Sequence, residues 1–235
     1  MKKVLHKADS RGHANLGWLD THHTFSFANY YNPDRVRFGM LRVLNDDAVA
    51  PGMGFGTHPH DNMEIVSIPL EGDLEHRDSM GNVSVIRKGE VQVMSAGTGI
   101  THSEYNRNAD KSVKFLQIWV FPDTQEVEPR YQQTTIDRDT MKNRFMPIVA
   151  PRGHGEAIWM HQDAWFHIAE IDPGETVEYR MKDPGHGAYV FIIKGEVEAG
   201  GVKLGLRDGM GVWETDKLEF TADNYSEVLV IEVPM

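Results

Sequence analysis

Apolar residues in this chain come in short bursts, each ended by a turn signal, and no long stretch sustains the spacing of an amphipathic helix. The segments Glu64 to Leu70, Val83 to Arg87, Val91 to Met94 and Val113 to Phe121 are rich in β-branched or aromatic residues and are bounded by Gly, Asp or Asn. Turn signals recur at Glu71-Gly72-Asp73, Ser79-Met80-Gly81-Asn82, Lys88-Gly89-Glu90 and Ala96-Gly97-Thr98-Gly99. That rhythm predicts an antiparallel all-β sandwich or barrel with little helix. A weak turn or helix near Asp137 to Asn143 is the exception. Further strands are expected at Trp165 to Ile171, Ala188 to Ile193, Val212 to Trp213 and Val228 to Val233.

With 235 residues the chain has room for two modest domains. The polar stretch from Asp123 to Gln133 contains few core candidates and reads as a connection. The expected division is therefore an N-terminal domain over 1–122, a connecting segment over 123–143 and a C-terminal domain over 144–235. The halves echo each other: Pro69-Leu70-Glu71-Gly72-Asp73 has a counterpart in Ile193-Lys194-Gly195-Glu196, and Ile86-Arg87-Lys88-Gly89 in Leu206-Arg207-Asp208-Gly209. Two copies of one β-barrel are the expectation.

Strand geometry then singles out four side chains. Alternate residues of a strand share a face, so His58 and His60 in Thr57-His58-Pro59-His60 can both aim inward while Pro59 points out. His102 and Glu104 in Thr101-His102-Ser103-Glu104 form a second such pair. Each pair follows a glycine-rich approach that lets the backbone turn tightly near a crowded site. Two converging strands would present three imidazoles and one carboxylate to a single divalent ion, and those donors alone do not choose among the first-row metals. The chain has no cysteine, so thiolate sites, iron–sulfur clusters and cysteine nucleophiles are excluded.

These strings resemble the cupins, and more narrowly the pirin-like proteins of the bacterial quercetin 2,3-dioxygenase branch. Gly52 through Gly72 is similar to the first cupin motif, with a longer interval between Glu64 and Gly72. Gly89 through Asn106 is similar to the second, with Ser95 in place of the usual proline and an extended interval from Gly97 to His102. The pirin resemblance rests on Arg11-Gly12-His13, Trp18-Leu19-Asp20, His23-Thr24-Phe25-Ser26-Phe27, Phe55-Gly56-Thr57-His58-Pro59-His60, Met94-Ser95-Ala96-Gly97-Thr98-Gly99-Ile100 and His102-Ser103-Glu104-Tyr105-Asn106. It implies two tandem cupin barrels, the first holding one divalent metal ion through His58, His60, His102 and Glu104, with Glu64 outside the ligand set. Fe(II) is the first expectation, and Mn, Ni, Cu, Zn or Co suit the same donors. His58 and His60 fall opposite Met181 and Asp183, so the second barrel is expected to carry no metal. His154, His161, His167 and His186 read as surface or hydrogen-bonded histidines. Phe25, Phe27, Tyr30 and Tyr31 read first as core and second as a pocket mouth.

The activity implied by the resemblance is flavonol 2,3-dioxygenation, which consumes a small aromatic substrate and O2 and releases carbon monoxide, with Glu104 as the catalytic carboxylate. The alternative is a noncatalytic metal or redox sensor that binds protein partners, as the nuclear pirins of eukaryotes allow. A different oxygenase or an isomerase remains open because one fold hosts many chemistries. A net charge of −11 argues against a direct nucleic-acid partner. The longest apolar run, Ala188 to Ile193, is far short of a membrane span, and the N-terminus lacks the features of a secretory signal, so a cytoplasmic location is expected. No phosphate loop, nucleophile elbow or dinucleotide fingerprint is present.

Overall fold

A computed structural model describes residues 1–155 and 157–235. The chain forms two sandwiches, each pairing a seven-stranded sheet with a four-stranded one. The sheets do not close into continuous barrels; each half is an open jelly roll of the cupin type. In the N-terminal half the large sheet runs Arg130–Thr135, Glu90–Ser95, Glu64–Glu71, Val113–Val120, Leu41–Val49, Leu19–His23, Gly12–Asn15. Its small sheet runs Gly54–His60, Ile100–Asn106, Asp73–Asp78, Val83–Arg87. Among the described residues, helix is confined to two short 3-10 segments. One of them, Arg138–Met141, lies where a turn or helix was expected, and its start is capped by the Asp137 carboxylate accepting from the Asp139 N–H.

Two strands cross the divisions expected from the sequence. Lys2–His6 leaves its own half and pairs with Gly209–Trp213 at the edge of the C-terminal large sheet. Arg130–Thr135, inside the expected connection, pairs with Glu90–Ser95 as an edge strand of the N-terminal sheet. An edge strand is held largely by backbone hydrogen bonds on one side, so it needs little of the apolar patterning that reveals a central strand.

The two large sheets pack against each other, and this explains the continuous apolar runs. In the central strand His186–Lys194, Tyr189, Phe191 and Ile193 face the other half, while Ala188, Val190 and Ile192 fill the C-terminal sandwich. In Ser226–Pro234 the split is Leu229, Ile231 and Val233 against Val228 and Val230. The N-terminal sheet answers across the interface with Leu44, Val66, Ile68, Leu116 and Ile118. A strand buried on both faces loses the usual apolar–polar alternation. The duplicated turns match as well: Gly72 and Gly195 both follow the strand beside the middle one of their large sheet, at φ of 79° and 84°, and a Cβ at Gly195 would collide with Ser226 and the Tyr225 carbonyl.

Glu64 lies on the interface side of its strand, the face it shares with Val66 and Ile68. It is 1% exposed, accepts a hydrogen bond from Ser95 Oγ at 2.8 Å and another from the backbone N–H of His161, and sits near Arg130. Desolvation outweighs these partners and raises its carboxyl pKa to about 7.

Two outcomes follow from this interface. Phe191→Ala empties a fully buried site between the sheets and should cost about 3–5 kcal/mol, read as a lowered urea midpoint. For Glu64 the folded chain binds the proton more tightly than the unfolded chain, so its contribution to stability falls as pH rises from about 4.5 to about 7. The full span is about 3 kcal/mol at about 1.4 kcal/mol per pH unit. Glu64→Gln removes that titration, so the stability difference between variant and wild type should grow across this window and level off above it; a flat difference curve would contradict the assignment.

Candidate metal centre

The His-x-His segment occupies the edge strand Gly54–His60 of the N-terminal small sheet, where Pro59, having no N–H, disturbs no ladder on its free side. The neighbouring strand Ile100–Asn106 sets His102 opposite His58 and Ile100 opposite His60. A bulge follows His102, so Glu104 faces Phe55. The rings of His58, His60 and His102 converge, with centroids 4.4 to 4.9 Å apart, and one nitrogen from each lies within 4.8 Å of the others.

Hydrogen bonds orient the rings of His58 and His102. His58 Nδ1 donates to the Gly56 carbonyl at 2.8 Å, and in the neutral ring this puts the free lone pair on Nε2. His102 is 2% exposed; its Nδ1 lies 3.4 Å from Nδ1 of His76, and its Nε2 is buried without a partner. His76 in turn donates from Nε2 to Asp78 Oδ2 at 3.0 Å, is fully buried, and stacks on Tyr131. The Asp78–His76–His102 chain thus fixes the His102 ring from behind. Burial first, then the neighbouring imidazoles, lowers the pKa of His102 to about 2; burial and His58 lower that of His60 to about 4. Both rings are neutral at physiological pH, the form that ligates a metal. The unpartnered His102 nitrogen, the fixed tautomer of His58 and the absence of thiolates together fit a divalent first-row ion.

Glu104 lies outside the three-histidine span. Its fully buried carboxylate accepts from Gln117 Nε2 at 2.7 Å and lies 3.2 Å from Ser67 Oγ, bridging from the small sheet to the large one. Desolvation raises its pKa above the ordinary carboxylate range despite these bonds. Glu64 faces the opposite side of its strand and does not approach the cluster. His58, His60 and Glu104 all line a cavity of about 440 Å³ whose apolar wall includes Leu19, Phe27, Tyr30, Phe55 and Trp119. Of the aromatic run, Phe25 is core, Phe27 and Tyr30 line this cavity, and Tyr31 is 75% exposed.

Three features escaped the sequence reading. His76 and Asp78 support the cluster from a strand with no motif of its own, and their only signal is the alternate spacing in Asp73–Asp78. Thr21, His23, Asn45 and Asp47 face the cavity from Leu19–His23 and Leu41–Val49, neither of which was expected as a strand. His13, Asp20 and His22 form a further, more exposed group near the mouth, where His13 and Asn15 already bind the two Asp20 oxygens. In the C-terminal half, His167 and His186 sit in a buried network with Tyr179 and Glu232.

The sequence profile described as Pirin matches residues 4–120, and the one described as Quercetinase C-terminal cupin domain matches residues 147–233. A quercetin 2,3-dioxygenase of Escherichia coli O157:H7 is 42% identical over 98% of this chain and 98% of that protein. The crystal structure of the bacterial pirin YhhW of Escherichia coli in complex with nickel(II) aligns at a TM-score of 0.94, with 40% identity and 99% of each chain covered. YhaK of Escherichia coli aligns at 0.77, with 28% identity over 95% of this chain and 98% of that one.

Proposed function

This chain belongs to the pirin family, and from that premise we propose that it is a metal-dependent dioxygenase that opens the heterocyclic ring of a flavonol such as quercetin. The observation that carries the proposal is the junction of two environments in one cavity: a cluster of converging imidazoles beside a buried carboxylate, and an aromatic wall wide enough for a planar substrate. Full-length relatives bearing the quercetin 2,3-dioxygenase name support the reaction class.

His58, His60 and His102 would hold the ion, Fe(II) or another divalent first-row metal, with Glu104 as the fourth donor. When bound, the ion supplies Lewis acidity toward the flavonol oxygens and the electron exchange that O2 chemistry requires. Glu104 takes the proton of the 3-hydroxyl, a task suited to a carboxylate whose basicity burial has raised. Ser67 and Gln117 keep that carboxylate turned into the cavity. Phe27 and Trp119, packed edge to face at 5.4 Å, offer aromatic edges to the flavonol rings and exclude water around them. Cleavage puts both atoms of O2 into the ring-opened ester and releases one ring carbon as carbon monoxide.

The test is metal analysis of the purified protein, anaerobic loading with Fe(II), Ni(II), Mn(II) or Cu(II), and aerobic assay of quercetin loss with carbon monoxide detection. One ion per chain is expected, with His58→Ala losing the ion and Glu104→Gln losing at least about 100-fold in turnover. Metal binding with no turnover for any ion would turn the assignment toward the noncatalytic sensor. His76→Phe keeps the stack on Tyr131 but removes the support behind His102, so it should weaken Ni(II) binding by about 10- to 100-fold in chelator competition.

A further inference from the structure

The inner face of the N-terminal large sheet carries a polar row that ordinary folding requirements do not explain. His23, Asn45, Gln117 and Ser67 lie opposite one another on four adjacent strands, and Thr21 pairs with Asp47 beside them. At one end the row is satisfied: Ser67 and Gln117 bond to each other and to Glu104. One and two strands farther on, about 5 and 10 Å away, the pattern changes. There His23 Nε2, Asn45 Oδ1 and Asp47 Oδ1 have no hydrogen-bond partner among the described residues, although these residues are only 4%, 3% and 5% exposed. All three residues line the cavity that holds His58 and His60. The matching row of the C-terminal sandwich runs Val190, Val230 and His167, and its one buried polar group, His167, is satisfied by the hydroxyl of Tyr179, so the fold does not require polar atoms left without partners at such positions. A buried polar group without a partner is destabilising, and an array of them on one wall of a cavity points to a ligand that supplies the partners.

The chemistry of the three atoms narrows that ligand. His23 Nδ1 points to the Phe27 carbonyl at 3.4 Å, which assigns the proton to that nitrogen and leaves Nε2 an acceptor. Asn45 Oδ1 is an acceptor as well, and Asp47, whose carboxyl burial raises to about 7, accepts when ionised and can donate when protonated. Trp119 Nε1, a buried donor also without a partner among the described residues, lines the same cavity, so the site offers both acceptors and a donor, a set that suits hydroxyl groups, which donate and accept. We propose that His23, Asn45 and Asp47 form a hydroxyl-recognition wall that binds the phenolic hydroxyls of a polyhydroxylated aromatic ligand, setting specificity for the ring substituents of the substrate. The ligand class rests on the flavonol reading above; the wall rests on the unpartnered atoms.

Anaerobic titration of metal-loaded protein separates the two. Wild type is compared with Asn45→Leu and Asp47→Leu, using quercetin, hydroxylated on its outer rings, and 3-hydroxyflavone, which lacks those hydroxyls. Quercetin should bind wild type at least 30-fold more tightly, and each variant should lose at least tenfold of that preference while binding 3-hydroxyflavone within twofold of wild type. An undiminished preference in both variants would overturn the wall. The ligand-free unfolding midpoints provide a second reading: a row kept for a ligand leaves the midpoints of the Leu variants equal or raised, whereas a fall in both would assign the row to folding and overturn the proposal. If neither flavonol binds wild type, the flavonol reading fails by itself. Phloroglucinol then decides the wall: binding to wild type that both variants lose sustains it, and no binding, or binding that the variants retain, overturns it.

Discussion

The contact between the two seven-stranded sheets sets the terms for the rest of the molecule. Each large sheet buries its outer face against the other through Leu44, Val66, Leu116 and Ile118 on one side and Tyr189, Phe191, Leu229 and Ile231 on the other. Because that shared core supplies a large part of the burial that holds both halves, the inner faces are free to differ. The C-terminal sandwich fills its interior with apolar side chains and a hydrogen-bonded group of His167, Tyr179, His186 and Glu232. The N-terminal sandwich keeps a cavity and lines it with groups that would weaken an ordinary core.

Within that cavity, burial does most of the electrostatic work. It lowers the pKa of His60 and His102 and raises that of Glu104 and Asp47, the last to about 7. The same desolvation therefore prepares neutral nitrogen donors and a strong carboxylate base without a charged partner close by. The scaffold contributes direction: His76 and Asp78 hold His102, the Gly56 carbonyl holds His58, and Ser67 with Gln117 hold Glu104. These supports come from both sheets of the sandwich, so the site depends on the pairing of the sheets as much as on its own strands.

Several strands were legible because their chemistry was local. Val83–Arg87 and Trp165–Ile171 match their expected limits, and the turns at Gly72 and Gly195 stand where the repeated strings put them. Leu41–Val49 was missed because Asn45, Asp46 and Asp47 are poor strand residues, and two of them carry the cavity's unpartnered oxygens. Local preference and global fold disagree at that point, which is where a functional requirement commonly intrudes. Lys2–His6 and Arg130–Thr135 were missed for a different reason, since edge pairing is chosen by backbone proximity rather than by side-chain pattern.

By itself the sequence determined the all-β class, the duplication and the inward aim of His58, His60, His102 and Glu104, because a period of two and a glycine turn are local properties that neighbouring residues enforce. Only the tertiary structure decided that Glu64 faces the interface, that Glu104 is tied to Ser67 and Gln117, that His76 stands behind His102, and which half receives the first strand. Those outcomes depend on which strands lie side by side and which face is covered by another sheet. Such long-range choices are settled by burial summed over the whole chain, and no short string of residues encodes them.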